Sequence, residues 1–253
     1  MVVPLQNPPW TEGDPGRLAQ ALGPRELHLW CLSLDRPPQP VDTLCALLSA
    51  DERERAARFH FERDSRRFAC ARALLRRVVG AYAGVDAAAL RFRVADGGKP
   101  SIEGADGLEF NLSHSGGWVL LGVGRCGPIG VDLEVVRDVH DAEQIARHSF
   151  SHAEVDALLQ LTPERRRETF FTLWTAKEAF IKALGTGLSM ALDRFELDVD
   201  PIERARVRSI DGDAARAARW CLWCLRPRPD LHAAVAAPTP GLSLRCLGWS
   251  GQG

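Results

Sequence analysis

Asp132 and Glu134 stand two residues apart in Gly130-Val-Asp-Leu-Glu-Val135. On a strand that spacing puts both carboxylates on one face, with Val131, Leu133 and Val135 on the other. Like charges side by side on a strand repel. The pair suits either an exposed sheet edge or a cation held between the two groups. Mg²⁺ takes oxygen ligands of this kind together with substrate phosphates. Downstream, Trp174-Thr-Ala-Lys-Glu-Ala-Phe-Ile-Lys-Ala-Leu-Gly185 has helical spacing. Glu178 and Lys182 lie four residues apart on one face, a turn after Trp174. Phe180, Ile181 and Leu184 form the apolar side, Gly185 ends the helix, and Gly187 keeps the next loop tight. Alone, a helical Glu–Lys pair is a solvated surface pair. Beside Asp132 and Glu134 it adds a third carboxylate and a cation, a set suited to a divalent metal and an anionic ligand.

Other side chains could hold the ligand. Ser49 with Glu52 is a capping box that starts a helix, and Arg53, Arg55, Arg58, Arg63, Arg66 and Arg67 follow it. These arginines make either a solvated helix face or a phosphate surface, since guanidinium forks match phosphate oxygens. The turn Asp96-Gly-Gly-Lys-Pro100 is a plain hairpin turn, or it lets a ligand approach backbone amides beside Lys99. Asn111, Ser113 and His114 are placed at the opposite end of the strand run that carries Asp132. They can hydrogen-bond a phosphate, or His114 braces a turn. With one histidine and no nucleophile partner, no hydrolase triad is read there. Cys221-x-x-Cys224, flanked by Trp220, Leu222 and Trp223, lacks a second pair and reads as two structural thiols in a strand.

These residues need helices and strands to hold them. Residues 68–82 form a long amphipathic helix ending near Gly80 or Gly84. Strands are expected at 27–34, 91–94, 108–112, 118–124 and 129–136, the last three as an antiparallel meander. The pattern then restarts. Ser151 and Glu154 repeat the capping box, a long helix ends at Gly185, Arg194-Phe195 repeats Arg91-Phe92, and strands follow at 220–225 and 232–236. We read one α+β unit used twice, residues 1–126 and 127–253, with a ligand cleft between them. Each half is a small antiparallel sheet packed on a long helix. In this alignment Glu178 falls against Ala73 and Lys182 near Arg77, so the second copy alone carries the acidic chemistry.

The bulk properties agree. The 253 residues are 45% hydrophobic and 26% charged, with a net charge of −1. That is a globular composition with no global basic field for nucleic acid. Seven cysteines and a start lacking a basic, apolar leader point to reduced thiols and a cytoplasmic protein. The longest apolar run, 118–123, is far too short to span a membrane.

Gly98-Lys99-Pro100, Asn111-Leu-Ser-His-Ser115, Ile129-Gly-Val-Asp-Leu-Glu134 and Trp174 to Lys182, with Gly185 and Gly187, resemble in order and spacing the 4′-phosphopantetheinyl transferases of the surfactin-synthetase-activating (Sfp-type) class. The resemblance runs from about residue 48 to residue 237. It implies a pseudo-twofold α+β monomer, in agreement with the repeat. It also implies a reaction in which 4′-phosphopantetheine passes from coenzyme A to a serine of an acyl, peptidyl or polyketide carrier protein, releasing 3′,5′-ADP. By the same resemblance Asp132, Glu134 and Glu178 are the Mg²⁺ ligands and Lys182 lies near the pyrophosphate. Arg55, Lys99, Ser113 and His114 contact coenzyme A. Glu178, directly or through a bound water, is the base for the carrier serine, with Glu154 as a second candidate. Glu52 stands where some members carry a basic residue, and Phe68 replaces a small polar one. Both departures shift the 3′-phosphate contacts to Arg53 or Arg67. The rival readings are a Mg²⁺-dependent nucleotide phosphohydrolase and a non-catalytic carrier-protein-binding homologue. The intact set Asp132, Glu134, Glu178 and Lys182 favours the transferase.

Overall fold

The computed structural model describes residues 9–94, 98–105, 107–139, 141–185, 190–200 and 204–249. Asp96, Gly97 and Gly187, to which the sequence assigns tight turns, lie outside the described residues. In chain order the elements are β1 (Thr11–Glu12), α1 (Pro15–Ala19), β2 (Glu26–Ser33), α2 (Val41–Cys45), α3 (Ala50–Ala57), α4 (Glu62–Ala83), β3 (Phe92–Val94), β4 (Pro100–Ile102), β5 (Glu109–Ser115), β6 (Trp118–Gly124) and β7 (Gly130–Val135). There follow α5 (Ala142–Ser149), α6 (His152–Leu159), α7 (Pro163–Leu184), β8 (Phe195–Asp200), β9 (Arg204–Ile210), α8 (Ala214–Ala217), β10 (Cys221–Arg228), β11 (Leu231–Ala237) and β12 (Ser243–Gly248). The class is α+β. No helix among the described residues is long and apolar enough to cross a membrane.

The repeat is physical. Both α3 and α6 open with a capping box, Ser49 with Glu52 and Ser151 with Glu154. Both long helices have 22 residues and stop at a left-handed glycine, Gly84 at φ 68° and Gly185 at φ 71°. Each capping glutamate also binds a buried cation from its long helix. Arg76 Nε lies 2.6 Å from Glu52 and its Nη1 donates to the carbonyls of Ala87 and Leu90. Lys177 Nζ lies 2.9 Å from Glu154 and donates to the carbonyls of Leu192 and Phe195. Matching these anchors sets the register of the repeat. Glu178 then falls against Arg77, not Ala73, and Lys182 against Ala81. The alignment read from the sequence is displaced by about one helical turn.

A five-stranded sheet runs β1-β12-β2-β6-β5, and a three-stranded sheet runs β10-β11-β7. β12 lies parallel to both β1 and β2, whereas β2, β6 and β5 are antiparallel. A strand from beyond residue 127 therefore lies inside the sheet of the first half. The expected meander holds for β5 and β6 only, because β7 pairs with β11 instead. The apolar side of β7 explains the departure. Val131 and Leu133 join Leu29 and Leu120 of one sheet to Ala233 and Val235 of the other in a shared core. β7 still runs beside β5, held there by side chains: Val131 N–H donates to Asn111 Oδ1 at 2.8 Å, and Val135 N–H to Ser115 Oγ at 3.1 Å.

Helix α7 packs on β7 and β11 through small residues. Ala176, Ala179 and Ala183 are buried against Ala234 and Ala236. At Gly130 the approach is so close that a Cβ would overlap the Ala179 carbonyl and the Ala183 amide. Backbone on that helix cannot swing aside as a side-chain tip can. Gly130→Ala is expected to cost about 3 kcal/mol, the upper end for overpacking, read as a lowered denaturation midpoint. An unchanged midpoint would mean that α7 does not sit this close.

Candidate active site

The closeness of α7 brings its polar face onto the carboxylates of β7. Lys182 Nζ lies 2.6 Å from Asp132 Oδ1 and donates to Ser113 Oγ at 3.1 Å. Ser113 Oγ in turn donates to the same Asp132 oxygen at 2.8 Å. Ser115 Oγ donates to Glu134 Oε2 at 2.7 Å. Asp132 is buried, whereas Glu134, Glu178 and Lys182 are half-buried. Burial pushes the Asp132 carboxyl above its usual range, with Lys182 and Ser113 pulling the other way. Burial likewise raises Glu134, opposed by Ser115 and reinforced by Asp132. Glu178 is raised by burial and then by Asp132, against the pull of Lys182. Burial, joined at Glu134 and Glu178 by repulsion from Asp132, thus makes each carboxylate easier to protonate, and the one ammonium of Lys182 only partly offsets this.

The fit to a divalent cation can be tested on these atoms. Asp132 Oδ2 is buried and has no hydrogen-bond partner among the described residues. An orphaned carboxylate oxygen is costly, and a cation would satisfy it. The donors are hard oxygens, and the raised carboxyls would all return to the charged form beside a metal, as suits Mg²⁺. Among the described residues no three His, Cys, Asp or Glu side chains stand ready-grouped as a metal cluster. Here the cation that meets Asp132 is Lys182.

The other expected site residues fall in three places. Ser113 sits on the carboxylates, not at the far end of a meander, because β5 lies beside β7. His114 points to the opposite side of β5 and is exposed. Arg55 lines a cleft of ≈ 580 Å³ on the first half, together with Phe68, Arg72, Arg76, Arg91 and Phe92. Its guanidinium lies 5.1 Å from the centre of the Phe68 ring, and Arg72 lies 5.0 Å from that of Phe92. Gly98 and Pro100 also border this cleft, and Lys99 between them pairs with Glu109 at 3.3 Å. Arg53 and Arg67 are committed elsewhere. Arg53 turns back to the Leu48 carbonyl, and Arg67 grips Asp35 with bonds of 2.8 and 2.7 Å. Glu154, the second candidate for a base, is engaged with Lys177, the Ser151 amide and the Leu197 amide.

Three site residues had no assigned role in the sequence reading: Ser115, Arg72 and Arg91. For Ser115 a signal was present, since Asn111, Ser113 and Ser115 alternate on β5 and so share one face. For the arginines there was none, because guanidinium reach hides which of many neighbours turns inward.

Comparison with known proteins points one way. A family model described as the 4′-phosphopantetheinyl transferase superfamily matches residues 128–236. Another, described as 4′-phosphopantetheinyl transferase, N-terminal, matches residues 37–124. The chain is 38% identical over 214 residues to the 4′-phosphopantetheinyl transferase HetI of Nostoc sp., covering 83% of this chain and 87% of that protein. It is 32% identical over 173 residues to the 4′-phosphopantetheinyl transferase Sfp of Bacillus subtilis, covering 68% and 76% respectively.

Proposed function

Given that this chain belongs to the 4′-phosphopantetheinyl transferases, we propose that it takes 4′-phosphopantetheine from coenzyme A and places it on a serine hydroxyl of a carrier protein, with Mg²⁺ held by Asp132, Glu134 and Glu178. Transfer of the phosphopantetheine group to carrier proteins is the activity of the family. The observation that carries the finer reading is the junction of β5, β7 and α7. There Lys182 and Ser113 meet Asp132 Oδ1 while Oδ2 has no partner among the described residues.

Each residue has a part. Mg²⁺ bound there would neutralise the pyrophosphate oxygens of coenzyme A and polarise the phosphorus under attack. Lys182, fixed by Ser113 and Asp132, steadies negative charge on that phosphate or on the departing 3′,5′-ADP. Glu178 accepts the proton of the carrier serine, directly or through a bound water. The serine oxygen–phosphorus bond forms as the bond to 3′,5′-ADP breaks. Arg55, Lys99 and His114 hold the coenzyme, joined by Arg91 on the cleft wall, so that the pantetheine arm alone moves. Arg53 stiffens α3 instead. In this reading residues 1–126 supply the nucleotide contacts and residues 127–253 the carboxylates, in a cytoplasmic monomer.

The test is direct. Incubation with coenzyme A, Mg²⁺ and a panel of apo-carrier proteins should add the mass of one phosphopantetheine to a carrier serine. Breakdown of coenzyme A with every carrier left unmodified would overturn the reading in favour of a phosphohydrolase.

A further inference from the structure

Among the described residues β7 forms no backbone ladder along β5, and side chains of β5 stand in for one. Asn111 Oδ1 and Ser115 Oγ accept the amides of Val131 and Val135, as strand carbonyls would. Ser115 does more than Asn111. Its single proton goes to Glu134 Oε2 at 2.7 Å while its lone pair takes the Val135 amide at 3.1 Å, so the hydroxyl rotor has one setting. The side chain is buried. The next residue, Gly116, has φ 57°, and a Cβ there would meet Val135 Cγ2 at 2.9 Å. The turn therefore lies close against β7, with no room for a side chain between Gly116 and Val135.

We infer that Ser115 is a positioning residue for Glu134: it clamps one carboxylate oxygen against the β7 backbone and so presets the direction in which the other oxygen meets a divalent cation. The inference rests on the reading of Glu134 as a cation ligand. Presetting lowers the ordering cost of binding, and loss of a partner that orients a metal ligand typically weakens metal affinity by about 10- to 100-fold.

The test uses the full chain without coenzyme A and Mn²⁺ as the probe, with free Mn²⁺ counted by electron paramagnetic resonance. Ser115→Thr keeps the hydroxyl and Ser115→Val removes it at nearly equal shape. The Thr variant is expected to bind Mn²⁺ as the parent does, and the Val variant about tenfold more weakly. A structural role alone would shift thermal stability in the Val variant and leave the Mn²⁺ affinity in place. Equal affinities in the Thr and Val variants, with the parent binding normally, overturn the inference. A parent chain that takes up no Mn²⁺ overturns both the inference and the cation reading beneath it, and is told apart by the parent titration alone.

Discussion

Glu178→Gln is expected to lower phosphopantetheine transfer by about 10³-fold or more while the protein stays folded. On the proposed reading the substitution removes a base and a metal ligand together, and each is worth several kcal/mol of barrier. Asp132→Asn should fall as far, since it takes the charge from the one carboxylate that Lys182 and Ser113 both hold. Stability should move the other way. The fold raises the Glu178 carboxyl, through burial first and Asp132 next, so it favours the neutral form. A raised group contributes stability at low pH that is lost as pH rises through its folded value. At neutral pH the charged glutamate is therefore a burden on the metal-free fold, and Gln should leave the melting temperature equal or higher. Labelling of an apo-carrier by mass, with melting followed in parallel, checks both halves. Undiminished labelling in either variant would sink the assignment of these carboxylates.

Lys177→Met is expected to destabilise the protein by about 3–5 kcal/mol, the range for removing one partner of a buried ion pair. Lys177 is fully buried, and its loss strands Glu154 and two carbonyls that it serves at 2.8 Å. The neighbouring Glu178 projects about 100° further round the helix and meets other partners, Asp132 and Lys182, so catalysis per folded molecule should persist. Lys177→Met with Glu154→Gln should regain part of the loss, because Gln leaves no buried charge and its one side-chain oxygen can still accept from one of the two amides, Ser151 or Leu197, that Glu154 serves through separate oxygens. Denaturant titration of the three proteins decides it. A shift below about 1 kcal/mol for the single variant would mean that the pair is not desolvated.

What the chain made readable in advance was whatever a short period encodes. Two capping boxes and two glycine stops mark the helix ends, because caps are local chemistry. The alternation Asp132, Glu134 placed both carboxylates on one strand face without knowledge of any partner. What it hid was long-range choice. An amphipathic helix looks much the same after a shift of one turn, so Glu178 could be set against Ala73 as easily as Arg77. The buried cations Arg76 and Lys177 decide between the two, and their burial is a tertiary fact. The departure of β7 from its neighbours was hidden for the same reason, since adjacent strands usually pair. Arg53 and Arg67 were as plausible for a phosphate as Arg55 until Leu48 and Asp35 claimed them.

The place of β12 bears on how the protein is made. A chain leaves the ribosome from its N-terminal end, and domains begin to fold as they emerge. Here β2 can find β6 early, but its other edge, from Glu26 to Trp30, waits for Ser243 to Leu247. Throughout synthesis of the second half, an apolar strand edge stays open to chaperones or to wrong partners. A message cut short before β12 would yield a chain whose first half, though translated in full, cannot close its sheet. Closure of the first half's sheet is thus tied to synthesis of β12.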